Sequence, residues 1–394
     1  MVVTDKKRIN EILDRGIITA VLPSKEEFIK RLTSGGKLKI YIGADPTSDS
    51  LHLSHAKNYI LLEELRLLGH EVVVLVGDFT ARIGDPSDKT AARTRLSKKQ
   101  IEVNVEKWIS QIKPLMGFDD KENPPRILYN SEWLSKMTWE DEIELAANVT
   151  VQQLLERDMF KKRIENNIPI YSHEFQYPLM QGYDSVAMDV DVELCGNDQI
   201  FNALVGRTLM KKIKNKEKFV LAVNLMEDPK TGELMSKSKG TGVFLSSPPK
   251  EMFGAIMALS DEMIEVLFIN VTRIPLSEKE GIMSLGPRGA KMFVAGDIVK
   301  RFYGKEEAGK AQEEWQKVFS DKGLPTDMPE YAGESKDIIE VVVKSNFIES
   351  RSEAKRLVDQ KAIEVNGEKV TDWGHKLKSG DVVKVGPRKF LKIK

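Results

Sequence analysis

Two histidines three positions apart, His52 and His55, close the segment PTSDSLHLSH (residues 46–55), and a lysine-bearing loop, LMSKS (residues 234–238), lies far downstream. A phosphorus centre under attack gathers negative charge, and a departing polyphosphate carries more. Catalysis there rests on hydrogen-bond donors and cations aimed at the oxygens. Imidazoles at a helix start supply N–H donors, and the helix dipole adds to them. Lys237, on a Ser/Gly-rich loop, supplies a cation that closes over phosphates, and Gly43 lets backbone approach a ligand. Each signal alone is weak. H-x-x-H also describes two surface histidines, or half a zinc site lacking a nearby third ligand, and S-K-S-K alone is an ordinary solvated loop. In this order, after a strand and before a helix, they read as two halves of one ATP site that activates a carboxylate as an adenylate.

The elements that must hold these groups alternate in type. Residues 38–44 form an apolar run of strand length, followed by a loop and a helix over about 56–68, with Ile60, Leu61, Leu65 and Leu68 apolar. Residues 71–77 (EVVVLVG) are continuously apolar, as in a parallel strand covered on both faces. Further strands are expected at 126–129 and 219–224, and residues 8–34 read as helical with a break at Pro23. This alternation predicts an α/β fold with an open, doubly wound, Rossmann-like parallel sheet, whose ligands bind at the carboxyl ends of the strands. The loops at 45–55 and 77–93 open there. The expected organisation is a catalytic domain over 1–228, a lysine-loop and helical domain over 229–325, a linker at 326–336, and a small α+β unit over 337–394. In that last unit helices at 338–344 and 352–360 precede short strands with turns at Asn366-Gly367 and Ser379-Gly380.

Composition narrows the class. The chain has 394 residues, 41% apolar and 30% charged, with zero formal net charge, so any polyanion-binding surface must be local. Cys195 is the sole cysteine, which excludes an intramolecular disulfide and a cysteine-based metal cluster. It reads as packing. No apolar run approaches the ~20 residues of a membrane span, and the N-terminal stretch lacks a signal core. A cytoplasmic setting is the expectation. From residue 337 onward there are 13 Lys and Arg against 9 Asp and Glu.

The two motifs resemble the H-I-G-H and K-M-S-K-S signatures of class I aminoacyl-tRNA synthetases. YIGADPTSDSLHLSH, VGDFTARIGDPSDK, FQYPLMQGYD and ELCGNDQIFN, with the MSKS loop, resemble in order the motifs of the bacterial tyrosyl family, over essentially the whole chain. The resemblance implies that tyrosine and ATP, the latter with Mg2+, form tyrosyl-adenylate, and that the tyrosyl group then passes to tRNA. It requires no permanently bound cofactor and no resident metal, and it implies a homodimer. It assigns charge stabilisation to Thr47, His52, His55, Lys89, Arg93 and Lys237. ATP contacts fall to Gly43, Asp45, Gly196, Asp198 (on the ribose) and Met235. The phenolic hydroxyl falls to Tyr41 and Asp184, the ammonium group to Asp85, Tyr177 and Gln181, and the surrounding pocket to Gln199. Spacing puts Tyr177, Gln181 and Asp184 on one helical face. Phenylalanine would leave the buried polar groups unmet, which costs more than a bond is worth. An indole is too bulky, so the tryptophanyl relatives fit less well.

The C-terminal segment resembles the αL-type RNA-binding domain shared with a small-subunit ribosomal protein. Arg351, Ser352, Lys355 and Arg356 are its candidate phosphate contacts. Two departures stand out. Ser54 occupies the Gly position of the first signature, and Leu234 replaces the first lysine of the second, with Lys239 two positions past Lys237 as a candidate substitute. They support a rival reading, a catalytically weakened RNA-binding paralogue.

Overall fold

The computed structural model describes residues 2–85, 97–235, 242–319, 328–386 and 389–394. The chain divides into two compact units, Met1–Ala311 and Gln312–Lys394.

The first unit is built on a six-stranded sheet: β1 (Ile18–Leu22), β2 (Lys39–Ala44), β3 (Glu71–Val76), β4 (Arg126–Tyr129), β5 (Val192–Gly196) and β6 (Phe219–Val223), in the order β1-β6-β5-β2-β3-β4. All neighbours pair in parallel except β1, which runs antiparallel to β6 along one edge. The fold is therefore the expected doubly wound α/β sheet with one antiparallel edge. Burial explains the strands' composition. Every residue of Phe219–Val223 and all but the first of Glu71–Val76 are buried, as strands covered on both faces require.

From β2 the chain winds outward to β3 and β4, and later returns to the other side of β2 to form β5 and β6. The switch point thus lies between β2 and β5, where such sheets open a crevice at the carboxyl ends. The Leu53–Leu67 helix starts just past β2 and buries Leu53, Ala56, Ile60, Leu61 and Leu65. The Gln176–Met188 helix leads into β5, and the Ile200–Lys214 helix packs on it where Gly182 meets Gly206.

One expectation about this sheet needs correction. Residues 18–22, read as part of a helical stretch, form β1; pairing with β6 overrides the local pattern. Pro287 stands at the second position of the Gly286–Phe319 helical segment, where its missing N–H leaves no bond unmade. That segment is interrupted at Gly304 (φ 84°). Helices Pro249–Met257 and Met263–Val271 precede it.

The second unit carries helices Ile338–Lys344 and Arg351–Asp359, and a sheet in the order β7-β11-β10-β8-β9. Its strands are β7 (Glu330–Tyr331), β8 (Ile363–Val365), β9 (Glu368–Lys369), β10 (Val382–Val385) and β11 (Lys389–Ile393). The β8–β9 hairpin turns on Asn366 (φ 52°) and Gly367 (φ 86°), the left-handed pair that a two-residue hairpin demands. β7 falls within the segment expected to be linker and pairs in parallel with β11. Ile338, Val341, Val342, Ala354, Val358 and Ile363 form the core of this unit. Among the described residues no helix is long and apolar enough to cross a membrane.

Candidate active site

The strand ends β2, β3, β4 and β5 and the Gln176–Met188 helix together line one cleft of ≈ 340 Å³. The chemistry-bearing residues arrive as the switch-point rule requires. Asp45 follows β2, Thr80 and Asp85 follow β3, Asn130 and Trp133 follow β4, and Asp198 and Gln199 follow β5.

Asp184 lines the cleft and is buried, 3% exposed. Trp133 Nε1 donates to its Oδ1 at 2.7 Å and Asn130 Nδ2 to its Oδ2 at 3.3 Å. Burial pushes this carboxyl well above the usual carboxylate range, and those two donors pull it back in part. Tyr41, buried, faces the same space; its hydroxyl lies 2.9 Å from Ser185 Oγ. Burial likewise raises the Tyr41 phenol, so it stays protonated.

A second acidic cluster lies along the cleft. Thr80 Oγ1 and Tyr177 Oη donate to the two oxygens of Asp45 at 2.7 and 2.9 Å. Desolvation pushes Asp45 up to about 7 against these two bonds. Gly77 is needed here, because a Cβ would stand 2.0 Å from Asp45 Oδ1. The Arg157 guanidinium donates to Asp85 Oδ1 at 3.0 Å, and Gln199 Nε2 to Oδ2 at 2.6 Å. Sequence reasoning placed Asp45 with the nucleotide; the structure groups it with Tyr177, one of the residues assigned to the ammonium group.

The imidazole pair stands at the start of the Leu53–Leu67 helix. The loop before it is clamped by the Lys98–Ile112 helix: Asn104 Nδ2 donates to Pro46 O, Trp108 Nε1 to Ser48 O, and Gln111 Oε1 accepts from Leu51 N, each at 2.8 Å. His55 and Thr47 line the cleft, and the His52 ring packs on His55 with centroids 4.0 Å apart. His55 Nδ1 accepts from the His52 backbone N–H at 3.2 Å, which leaves Nε2 as the proton-bearing nitrogen. Burial lowers His52 to about 4, and burial with the neighbouring His52 and Lys57 lowers His55 to about 3. Both rings are therefore neutral donors at neutral pH. Among the described residues no group of three His, Cys, Asp or Glu side chains forms a metal-holding set.

Lys89, Arg93, Lys237 and Lys239 lie outside the described residues, but the flanks of the second motif do not. Leu53 N donates to Val243 O at 3.0 Å and Leu245 N to Leu51 O at 2.9 Å, so the chain leaving the MSKS loop is strapped to the histidine segment. Met235 is buried, its N–H on Met226 O at 3.0 Å, and Leu234 is exposed. Gly43 lines the cleft, and a Cβ there would touch protein only at 3.7 Å. Packing does not demand glycine at this position; an approaching ligand would. Gly196 and Asp198 stand at the β5 end of the same cleft.

Asn130, Trp133, Arg157, Ser185, Glu193, Asn202 and Lys218 were missed. For Asn130 and Trp133 the signal existed, since both follow a strand end. The others are fixed by partners remote in the chain.

On the second unit, Arg351, Ser352, Lys355 and Arg356 are all exposed on the outer face of a helix that buries Ala354 and Val358. Lys355 Nζ sits 4.8 Å from the ring centre of Trp373.

A doubly wound sheet with an imidazole pair after its first parallel strand and a polar cleft at the switch point defines a nucleotide-binding α/β enzyme. Residues 33–320 match the tRNA synthetases class I (W and Y), residues 338–383 match the S4 domain, and the chain belongs to the class I tRNA synthetase family. It is 39% identical to a tyrosine–tRNA ligase of Carboxydothermus hydrogenoformans, covering 100% of this chain and 99% of the relative. It is 40% identical to that of Thermotoga maritima over 97% and 96% of the two chains. Among solved structures, a C-terminally truncated mitochondrial tyrosyl-tRNA synthetase of Aspergillus nidulans superposes with a TM-score of 0.67 at 21% identity, over 79% of this chain and 94% of that one. The Archaeoglobus fulgidus tyrosyl-tRNA synthetase complexed with L-tyrosine gives 0.60 at 20% identity, over 78% and 99%. At such identities the structural likeness speaks for the fold.

Proposed function

We propose that this chain activates L-tyrosine with ATP and then charges tRNA with it. One observation carries the choice of amino acid: a carboxylate and a phenol, Asp184 and Tyr41, are buried and line the same cleft. A hydroxyl on the substrate ring adds a partner to both groups; a bare ring leaves the Tyr41 hydroxyl and the remaining Asp184 lone pairs without that partner. Tyrosyl enzymes are themselves the known example of this discrimination, and their ~10⁵-fold rejection of phenylalanine is a property of those enzymes rather than a magnitude predicted for this chain. Asp45, Tyr177, Gln181 and Asp85 then face the ammonium end. Asp45 joins that group through its hydrogen bond from Tyr177.

The substrate carboxylate attacks the α-phosphorus, the α–β bridging bond breaks, and pyrophosphate leaves with the electron pair. His55, His52, Thr47 and the lysine of the second motif, with Lys89 and Arg93, stabilise the charge on the phosphate oxygens. Magnesium enters on the ATP phosphates as part of the substrate. A ribose hydroxyl at the tRNA terminus next attacks the acyl carbon and AMP departs. Gly196 and Asp198 hold the nucleotide ribose, and Met235 and Gly43 flank the purine side.

The basic helix face of the second unit binds tRNA phosphates, and the helical block before residue 320 reaches toward the anticodon. RNA affinity should fall with salt and drop on deletion of residues 337–394. A homodimer fits the exposed apolar side chains of Trp139, Ile143, Val151, Ile164, Ile168 and Tyr171, gathered within one stretch of chain. The cytoplasm is the setting this reading assigns to the chain. ATP–pyrophosphate exchange tests the reading: strong exchange with tyrosine supports it, exchange with tryptophan alone favours the tryptophanyl relatives, and none favours the inactive paralogue.

A further inference from the structure

An ion pair at the cleft wall, with Glu193 in the lining and Lys218 behind it, takes no part in the proposed chemistry. Glu193 on β5 and Lys218, the residue before β6, are 2% and 0% exposed and are joined by a hydrogen-bonded ion pair. Burying two charges costs several kcal/mol each, and an apolar pair of the same volume is often as stable. Room for the ammonium is built in: a Cβ on Gly206 would stand 2.6 Å from Lys218 Nζ.

Two hydrogen-bond chains run from this pair into the cleft lining, one to Tyr41 and one to Gln181. Lys218 Nζ donates to Ser185 Oγ at 2.9 Å, and Ser185 Oγ lies 2.9 Å from Tyr41 Oη. Glu193 Oε1 accepts from Gln181 Nε2 at 3.0 Å, while Gln181 Oε1 accepts from Asn202 Nδ2 at 2.9 Å. A lysine has only donors and a hydroxyl only one proton. Lys218 therefore occupies an acceptor site of Ser185, whose proton goes either to Tyr41 at 2.9 Å or to Glu193 Oε2 at 3.5 Å. The shorter bond is the stronger one, and Lys218 already occupies Glu193 Oε2. With Ser185 donating to Tyr41, the Tyr41 proton points away from Ser185, to be shared between Glu193, whose carboxylate raises the phenol, and a phenolic oxygen arriving in the cleft. In the other hydrogen-bond chain, Glu193 ties down the Gln181 NH2 group and leaves its carbonyl oxygen as the acceptor facing the ammonium.

We propose that the Glu193–Lys218 pair is a positioning device that fixes the hydrogen-bond polarity of the amino-acid pocket. Tyr41 donates to the phenolic oxygen, the phenolic proton goes to Asp184, and Gln181 accepts from the ammonium group. The inference rests on the tyrosine reading and names what orients its residues.

The test uses the full-length chain and pyrophosphate exchange. Glu193→Gln with Lys218→Met removes both charges at similar volume, which buried pairs commonly tolerate. The expected result is a tyrosine KM raised ~10-fold or more and a tyrosine-to-phenylalanine ratio of kcat/KM lowered by at least ~10-fold, with the ATP KM within about twofold. A folded double variant with both tyrosine readings within about twofold of the parent overturns the proposal, because a purely structural pair predicts that outcome. Should the double variant not fold, Ser185→Ala cuts the phenol chain alone. It must lower the tyrosine-to-phenylalanine ratio while leaving the ATP KM alone, and an unchanged ratio overturns the proposal equally. A parent protein that shows no tyrosine-dependent exchange sinks the substrate reading instead, before any variant is compared.

Discussion

Replacing Trp133 with phenylalanine isolates the contribution of one bond. The six-membered ring still packs against the apolar cluster of Tyr41, Val73, Leu75, Met188 and Val190, as Leu128 does. What disappears is the Nε1–H donor, 2.7 Å from Asp184 Oδ1. A bond to a carboxylate is worth about 1.5–3 kcal/mol. Asn130 cannot take over, since its own bond to the other oxygen is already long at 3.3 Å. At about 1.4 kcal/mol per factor of ten, kcat/KM for tyrosine should fall by ~10- to ~150-fold. Phenylalanine makes no bond to Asp184, so its kcat/KM should change little and the discrimination should shrink by nearly the same factor. The ATP KM should stay put. Losing a donor also raises Asp184 further above the carboxylate range, so the variant should recover part of its tyrosine activity as pH rises. Pyrophosphate exchange with each amino acid across pH provides the measurement. Tyrosine kcat/KM within twofold of the parent, with discrimination intact, would show that Asp184 does not receive the substrate hydroxyl.

Three further outcomes follow from neighbouring residues. Asp45 is pushed up to about 7 by burial, whereas His52 and His55 sit near 4 and 3. The ammonium group needs the ionised form, so the tyrosine KM should fall as pH rises from about 6 to 8, and Asp45→Asn should flatten that profile. The sign for folding is opposite: a raised carboxyl gives stability below its unfolded value that is lost as pH climbs through about 7, so the melting temperature of the empty protein should slip over that window, and a rise would contradict the assignment. Arg157→Met removes the ion pair of the half-buried Asp85 carboxylate, leaving its Gln199 bond, and should raise the tyrosine KM by ~10-fold or more with the ATP KM unchanged; an unaltered tyrosine KM would remove Asp85 from the ammonium site. Arg15 donates to the carbonyls of Phe268, Ile269 and Ile274 and to Thr272 Oγ1. Arg15→Met should cost about 2–4 kcal/mol in denaturant unfolding while tyrosine KM holds, because the loss is structural.

Local pattern made much of this protein legible. Continuous apolar runs gave β3 and β6, the 3- and 4-residue spacing put Tyr177, Gln181 and Asp184 on one helix, and Asn366-Gly367 announced its hairpin. Those signals are periodicities and turn preferences, which are properties of a few consecutive residues. β1 escaped because a five-residue edge strand owes its conformation to β6, 203 positions away at the Thr19–Ala222 bond.

The amino-acid sequence by itself therefore determined the alternating sheet, the paired motifs and the list of polar residues at the strand ends. Only the tertiary structure decided which of them meet. Arg157 finds Asp85 across 72 positions, Trp133 finds Asp184 across 51, and Lys218 finds Glu193 across 25. The physical reason is burial: a carboxylate's behaviour depends on the water it has lost and the donors that replace it, and both are supplied by parts of the chain that no local pattern connects.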